Sequence, residues 1–250
     1  MMSSLESSQN KVLSMHMEQQ LPLGTLHPLT LVQHDMVRIF SDLGFTVATG
    51  PELEDEWHNF DALNVPAGHP ARDMQDTFWI RGEQGKLLRT HTSPVQIRYM
   101  ENHDITKGPV AIICPGKVFR NEATDATHEM QFHQMEGLLV GENISMAHLK
   151  GVLLEFFKRF VGPETEIRLR PSFFPFVEPG LEVDVKIKDK WVEVLGAGLV
   201  NPAVLKAVGF DPEKVSGFAF GMGIDRLATM KFGIPDVRLY YQGDVRLNQF

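Results

Sequence analysis

The sequence predicts an α+β domain, with helices packed on one mixed, mainly antiparallel sheet. Three observations carry this. Apolar residues alternate with charged ones along residues 181–188, the pattern of a half-exposed antiparallel strand. Short apolar runs at 110–114 and 136–140 flank a polar loop, as paired strands do. Strong helical stripes are confined to a few segments, so strands outnumber helices, and no internal repeat or low-complexity block interrupts them.

The chain of 250 residues is long enough for one large domain with a full core. At 43% hydrophobic and 22% charged residues, its composition is that of a soluble globular protein. It has no apolar run of about 18 residues, so no membrane span is expected, and its start lacks the pattern of a secretory signal. Cys114 is the single cysteine and sits in an apolar strand. It reads as a core residue in a reducing, cytoplasmic compartment rather than a nucleophile or zinc ligand. A net charge of −8 argues against a free-standing nucleic-acid binder, so any grip on nucleic acid falls to a partner or a local patch.

Residues 1–20, rich in Ser, Gln and Met, are expected to be a loosely ordered tail, with one domain over 21–250. In 28–43, Leu29, Val32, Met36, Phe40 and Leu43 form one stripe of a helix ended by Gly44. Residues 45–48 follow as a strand closed by Gly50 and Pro51. The acidic, aromatic segment 52–61 is expected to be a loop with buried aromatics; His58, Asp61 and His69 match no metal-ligand spacing. Residues 67–74 read as loop and 77–80 as a short strand. His91 and Ser93 are expected on one face of a strand that Pro94 stops before a helix to about Met100. Ser93 also suits a helix cap before Pro94.

Residues 145–160 form a strong helix, burying Leu149, Val152, Leu153, Phe156, Phe157 and Phe160, and no chemistry is assigned to it. A strand is expected at 166–170, then an irregular aromatic stretch at 170–180. There Phe174 and Phe176 flank Pro175, as walls of an apolar slot or as a core pair. Residues 191–195 are a strand on which Glu193 faces the site or solvent, and Asn201 and Pro202 open a short helix ending at Gly209. In 216–226 a strand runs into a helix. Gly221 and Gly223 let backbone approach a ligand, and Arg226, in the first helical turn, suits either a phosphate or an ordinary ion pair.

Most of the chemistry gathers in residues 116–140. A loop this long with this composition is usually functional. Arg120 and Glu122 are two apart, as are Gln134 and Glu136, with Phe132 in step, so one sheet face is expected to carry all five. A guanidinium grips phosphate, a carboxylate accepts from an exocyclic amine, and an aromatic ring stacks on a base. Together they describe a nucleotide lying on an antiparallel sheet.

FRNE followed by ATDATHE and FHQMEG resembles motif 2 of class II aminoacyl-tRNA synthetases, in the form found in phenylalanyl-tRNA synthetase alpha subunits. The likeness runs from about His27 to the C-terminus, through HPLT, GPELEDEWHNFDALNVPAGHPARDMQDTFW, LLRTHTSPVQIR, FFPFVEPG, WVEVLGAG and GFAFGMGIDR. It implies the class II fold, a catalytic domain over 21–250, and ATP-dependent activation of L-phenylalanine followed by transfer to tRNA(Phe). Arg120 would bridge the α-phosphate and the substrate carboxylate, Glu122 read the adenine amine, Phe132 stack on the base, and Arg226 clamp the far phosphate, with His128 nearby. His91, Ser93, Gln134 and Glu136 would hold the amino end of phenylalanine, and Phe174, Phe176 and Ala219 shape its ring pocket. The resemblance further implies Mg2+ on the polyphosphate, Glu178 at a metal position shared with a beta subunit, and assembly as two alpha and two beta chains through the helix and strand that resemble motif 1.

The sequence departs from the family twice. Residues 1–20 are too short to build the alpha subunits' N-terminal coiled coil, and Asp225 stands where Glu is frequent. Two other readings are an adenylate-forming enzyme with a non-tRNA acceptor and a non-catalytic regulatory paralogue; the presence of Arg120 and Arg226 speaks against the second.

Overall fold

The computed structural model describes residues 24–69, 72, 77–187 and 189–248; the tail expected at 1–20 and part of the loop at 67–74 lie outside the described residues. Helix α1 (Pro28–Asp42) begins where His27 Nδ1 accepts from the Leu29 amide and Pro28 needs no partner. Its stripe Leu29, Val32, Met36, Ile39 and Phe40 is buried, and Gly44 turns the chain at φ +91°. Strand β1 (Thr46–Val47) is followed by β2 (Leu53–Asp55), α2 (Glu56–Asn59), β3 (Lys86–Leu88) and α3 (Ser93–Glu101). Strands β4 (Val110–Phe119) and β5 (Gln131–Gly141) lead to α4 (Met146–Phe160), whose start is a capping box between Ser145 and His148. Strands β6 (Ile167–Phe174), β7 (Val177–Ile187) and β8 (Lys190–Val200), helix α5 (Pro202–Ala207), strand β9 (Ser216–Gly223) and helix α6 (Ile224–Phe232) complete the domain, with 3-10 turns at Val237–Tyr241 and Val245–Asn248.

Among the described residues, seven strands form one sheet in the order β1-β4-β5-β9-β8-β7-β6, and only the β1–β4 pair is parallel. The expected α+β architecture is the one observed. Helices α1, α4 and α6 bury one sheet face, where the Phe40 ring stacks between Phe156 at 4.6 Å and Phe220 at 5.1 Å. A Cβ on Gly137 would meet the Phe220 ring at 2.1 Å, so this layer closes only over glycine. Ile112, Cys114 and Leu138 face a second core built with α3 and α5, which confirms Cys114 as a core residue; burial pushes its thiol well up.

Several expectations need correction. The segment 52–61 is not a loop: β2 pairs with β3 through Leu53↔Leu88, and Asp55 caps α2 by accepting from the His58 amide. Residues 77–80 form a single bridge, Trp79↔Leu87, rather than a strand, because β3 offers only three residues for pairing. The stretch 170–180 is a β-hairpin that turns at Pro175 and Phe176, and the expected irregularity is confined to register shifts between Ser172 and Phe174 on β6 and between Val177 and Gly180 on β7. Its Pro171 is tolerated because β6 is an edge strand, where a missing N–H costs little. Alternation on β7 breaks at Asp184, which is 2% exposed and held by Arg168 at 2.6 Å and Arg170 at 2.8 Å.

Candidate active site

A cavity of about 1060 Å³ opens on the sheet face of the second core, walled by β5, β7, β8 and β9 and by residues around the starts of α3 and α6. Of the expected site residues, it brings together His91, Ser93, Arg120, Glu122, His128, Phe132, Gln134, Glu136, Phe174, Phe176, Ala219 and Arg226. Glu178 is exposed outside this wall and accepts from Asn201 Nδ2 at 3.4 Å.

The amino-end corner differs from the expected strand. β3 stops at Leu88, the chain bends through residues 90–92, and α3 starts at Ser93, so His91 and Ser93 do not alternate on a strand. Nor is Ser93 the cap. Thr92 takes that position, and the Ser93 hydroxyl is drawn instead to a stronger acceptor, donating to Glu136 Oε2 at 2.6 Å. The Thr92 amide donates to Glu136 Oε1 at 3.1 Å and Gln96 Nε2 to Oε2 at 2.9 Å. The carboxylate thus sits at the amide-rich start of a helix. Burial pushes the Glu136 carboxyl up to about 7 against these hydrogen bonds. Burial, with the nearby Arg120 charge, pushes His91 down to about 3, so its imidazole is neutral. His91 Nδ1, Thr92 Oγ1 and Gln134 Oε1 are buried without a hydrogen-bond partner among the described residues. Buried polar atoms in a folded protein are normally paired, so those of His91 and Gln134, which line the cavity, mark places for ligand atoms.

Beside this corner is the apolar slot. Phe174 and Phe176 meet across the hairpin turn with ring centroids 6.0 Å apart and planes at 21°. A Cβ on Gly196 would lie 3.0 Å from the Phe174 ring, so this glycine makes room for it. Ala219 sits between Leu138 on β5 and Gly198 on β8.

The other end is cationic. Arg120 and Glu122 lie in the loop beyond β4, not on the strand, because the β4–β5 ladder ends at Phe119↔Gln131. Arg120 is aimed by its own contacts: Nε donates to the Thr90 carbonyl at 3.2 Å, its guanidinium covers the Phe132 ring at 5.1 Å, and Glu122 is 3.9 Å away. Asp125 accepts from the Thr127 amide at 2.7 Å and the His128 amide at 2.8 Å, which shapes the loop tip and leaves the His128 side chain exposed beside it. Arg226, in the first turn of α6, is exposed and anchored by Nε to the Glu193 carbonyl at 2.9 Å.

Sequence reasoning missed three contributors. Gln96 lies one turn on from Ser93, a helical spacing that would have signalled a shared face. Glu182 also lines the cavity. Arg170 holds both Glu182 at 2.8 Å and Glu193 at 2.9 Å, a cross-strand relation that required the register of β6, β7 and β8. His58, Asp61 and His69 form no metal-type group among the described residues. The one such group there, Glu54, Asp55 and His58, is neutralised in part by Arg98 and Lys86.

The family model for the core domain of class II tRNA synthetases matches residues 13–250. The chain is 52% identical to a phenylalanine–tRNA ligase alpha subunit from Dehalococcoides mccartyi, the match covering 92% of this chain and 70% of that protein. The alpha subunit from Anoxybacillus flavithermus is 54% identical, with 91% and 69% covered, and that from Bacillus subtilis 53% identical with the same shares.

Proposed function

Because the chain belongs to the class II tRNA synthetases, in the family of phenylalanine–tRNA ligase alpha subunits, we propose that its cavity makes phenylalanyl-adenylate from ATP and L-phenylalanine and passes the phenylalanyl group to tRNA(Phe). The observation that supports this most is the corner around Glu136. A buried carboxylate fixed by Thr92, Ser93 and Gln96, beside the unpaired Gln134 Oε1 and a neutral His91, offers acceptors to a substrate ammonium. The slot of Phe174, Phe176 and Ala219 takes the phenyl ring.

Phenylalanine's carboxylate oxygen attacks the α-phosphorus of ATP, the bond to the bridging oxygen breaks, and pyrophosphate leaves. A ribose hydroxyl of the terminal adenosine then attacks the acyl carbon, its proton departs to solvent, and AMP leaves. No protein nucleophile is required, so catalysis is positioning and charge stabilisation. Arg120 bridges the carboxylate and α-phosphate, Phe132 stacks on adenine, Glu122 accepts from its amine, and Arg226 with His128 holds the outer phosphates. Mg2+ favours one or two carboxylates plus phosphate oxygens. Glu182 and Glu193, both on the cavity wall and both oriented by Arg170, fit that donor set. When bound, the ion neutralises polyphosphate charge. Glu178 belongs to no metal-type group among the described residues, and an ion there would take its further ligands from a second chain.

That second chain is a beta subunit, in an assembly of two alpha and two beta chains, which also supplies most of the grip on tRNA that a net charge of −8 disfavours. The compartment is the cytoplasm; among the described residues no helix is long and apolar enough to cross a membrane. The catalytic domain spans 21–250. Likeness to phenylalanine–tRNA ligase alpha subunits over more than nine-tenths of the chain disfavours a non-tRNA acceptor, and the presence of Arg120 and Arg226 speaks against a non-catalytic role. Charging of tRNA(Phe) by the chain alone and with its beta subunit tests the reading. Weak charging alone and strong charging together are expected; equal rates would refute the need for the partner.

A further inference from the structure

One buried carboxylate beside the nucleotide half of the cavity is not used by the chemistry above. The β5–β9 ladder ends at Gln134↔Gly223, where the chain leaves the strand and enters α6. The next amide along β5, that of His133, therefore has no strand carbonyl from β9 to receive it. Asp225 takes that place, its Oδ2 accepting from the His133 amide at 2.8 Å. Its other oxygen, Oδ1, accepts from the Tyr241 hydroxyl. The same hydroxyl lies 3.1 Å from His133 Nδ1, and the two rings are parallel with centroids 6.2 Å apart.

The positions of these groups give the network its meaning. His133 stands between Phe132 and Gln134, and Asp225 immediately precedes Arg226. The turn Val237–Tyr241 that carries Tyr241 also receives the loop bearing His128, since the Val237 amide donates to the Ala126 carbonyl at 3.0 Å. Thr229, one turn further along α6, meets the Tyr240 hydroxyl at 3.3 Å. One short turn thus touches the adenine-bearing strand, the phosphate-bearing helix and the loop between β4 and β5. Asp225 is only 5% exposed, and burial pushes its carboxyl up to about 6. The bonds from Tyr241 and His133 are what favour its ionised, double-acceptor form.

We propose that the turn Val237–Tyr241, acting through Tyr241, Asp225 and His133, is a brace that fixes the spacing between the Phe132 plate and the Arg226 clamp, and that Tyr241 is a positioning residue for ATP. This rests on the synthetase reading for what the plate and clamp hold. It goes beyond that reading in assigning the turn Val237–Tyr241 a role in nucleotide affinity.

The test is ATP–pyrophosphate exchange by the alpha chain assembled with its beta subunit, with Michaelis constants measured separately for ATP and phenylalanine. Tyr241→Phe keeps the ring and removes only the hydroxyl. It is expected to raise the ATP constant about tenfold, the effect of one lost hydrogen bond to a charged group, and to leave the phenylalanine constant within about twofold. Asp225→Asn should give a similar split, and the double variant should be no worse than the worse single variant, because one unit is being broken. A purely structural role would raise both constants together. That result, an unchanged ATP constant, or additive penalties would overturn the brace while leaving the synthetase reading intact. A wild-type assembly that exchanges no pyrophosphate with phenylalanine would overturn both.

Discussion

Ser93 Oγ and Glu136 Oε2 lie 2.6 Å apart, joining the first turn of α3 to the middle of β5 across 43 positions of sequence. This bond helps orient the carboxylate proposed to receive the ammonium of phenylalanine. Removing it with Ser93→Ala should cost about 1.5–3 kcal/mol of phenylalanine affinity, the range for a hydrogen bond to a charged group. Calorimetric titration with phenylalanine should show that loss, with ATP affinity preserved. Wild-type affinity in the variant would show that Thr92 and Gln96 orient Glu136 alone.

Acidity should matter in a defined direction. The Glu136 carboxyl is raised to about 7, above the 4.5 of an unperturbed glutamate. The folded, ligand-free protein therefore binds a proton more tightly than the unfolded chain, and this group's contribution to stability is lost as pH rises between those values. Binding an ammonium needs the ionised form, so kcat/KM for phenylalanine should fall as pH drops below about 7. Glu136→Gln should flatten that acid limb and weaken binding. An unchanged limb in the variant would assign it to another group.

The pocket floor gives a specificity prediction. Ala219 presents its methyl to the cavity between Leu138 and Gly198. Ala219→Gly should extend pyrophosphate exchange to para-substituted phenylalanines. If the methyl is only core, the variant will melt at a lower temperature with its substrate range unchanged.

How much of this was legible in the sequence follows from the range of each interaction. The main helix stripes and the β7 and β9 strands are local patterns and appear where periodicity puts them, whereas Arg120, Glu122, His91 and Ser93 lie off the strands expected to carry them. The errors fall where distant partners decide. Pro171 looks disruptive until β6 is known to be an edge strand, and Pro175 until it is seen to occupy the hairpin turn. Asp184 looks exposed until Arg168 and Arg170 are brought onto it. Ser93 looks like a cap until Glu136 is brought within reach. Many of the site roles, Arg226 among them, came from resemblance to a family, since spacing alone left Arg226 open to an ordinary ion pair.

The two ends of the cavity should be separable. Arg226 is exposed, at the end of the cavity proposed for the nucleotide, and is anchored to the Glu193 carbonyl rather than to the corner around Glu136. Arg226→Ala should raise the ATP concentration required by about tenfold or more, as loss of a charge-assisted phosphate contact would, and leave phenylalanine binding nearly unchanged. Equal losses for both substrates would remove the residue from the phosphate role.

The most direct measurement of the central claim is phenylalanine-dependent ATP–pyrophosphate exchange by the alpha chain assembled with its beta subunit, compared with the same assembly carrying Glu136→Ala. The cavity described here predicts exchange with phenylalanine, little with tyrosine, and near-complete loss in the variant. Exchange that is absent in the wild type, or that survives removal of the Glu136 carboxylate, would contradict the assignment of this cavity as the site of phenylalanine activation.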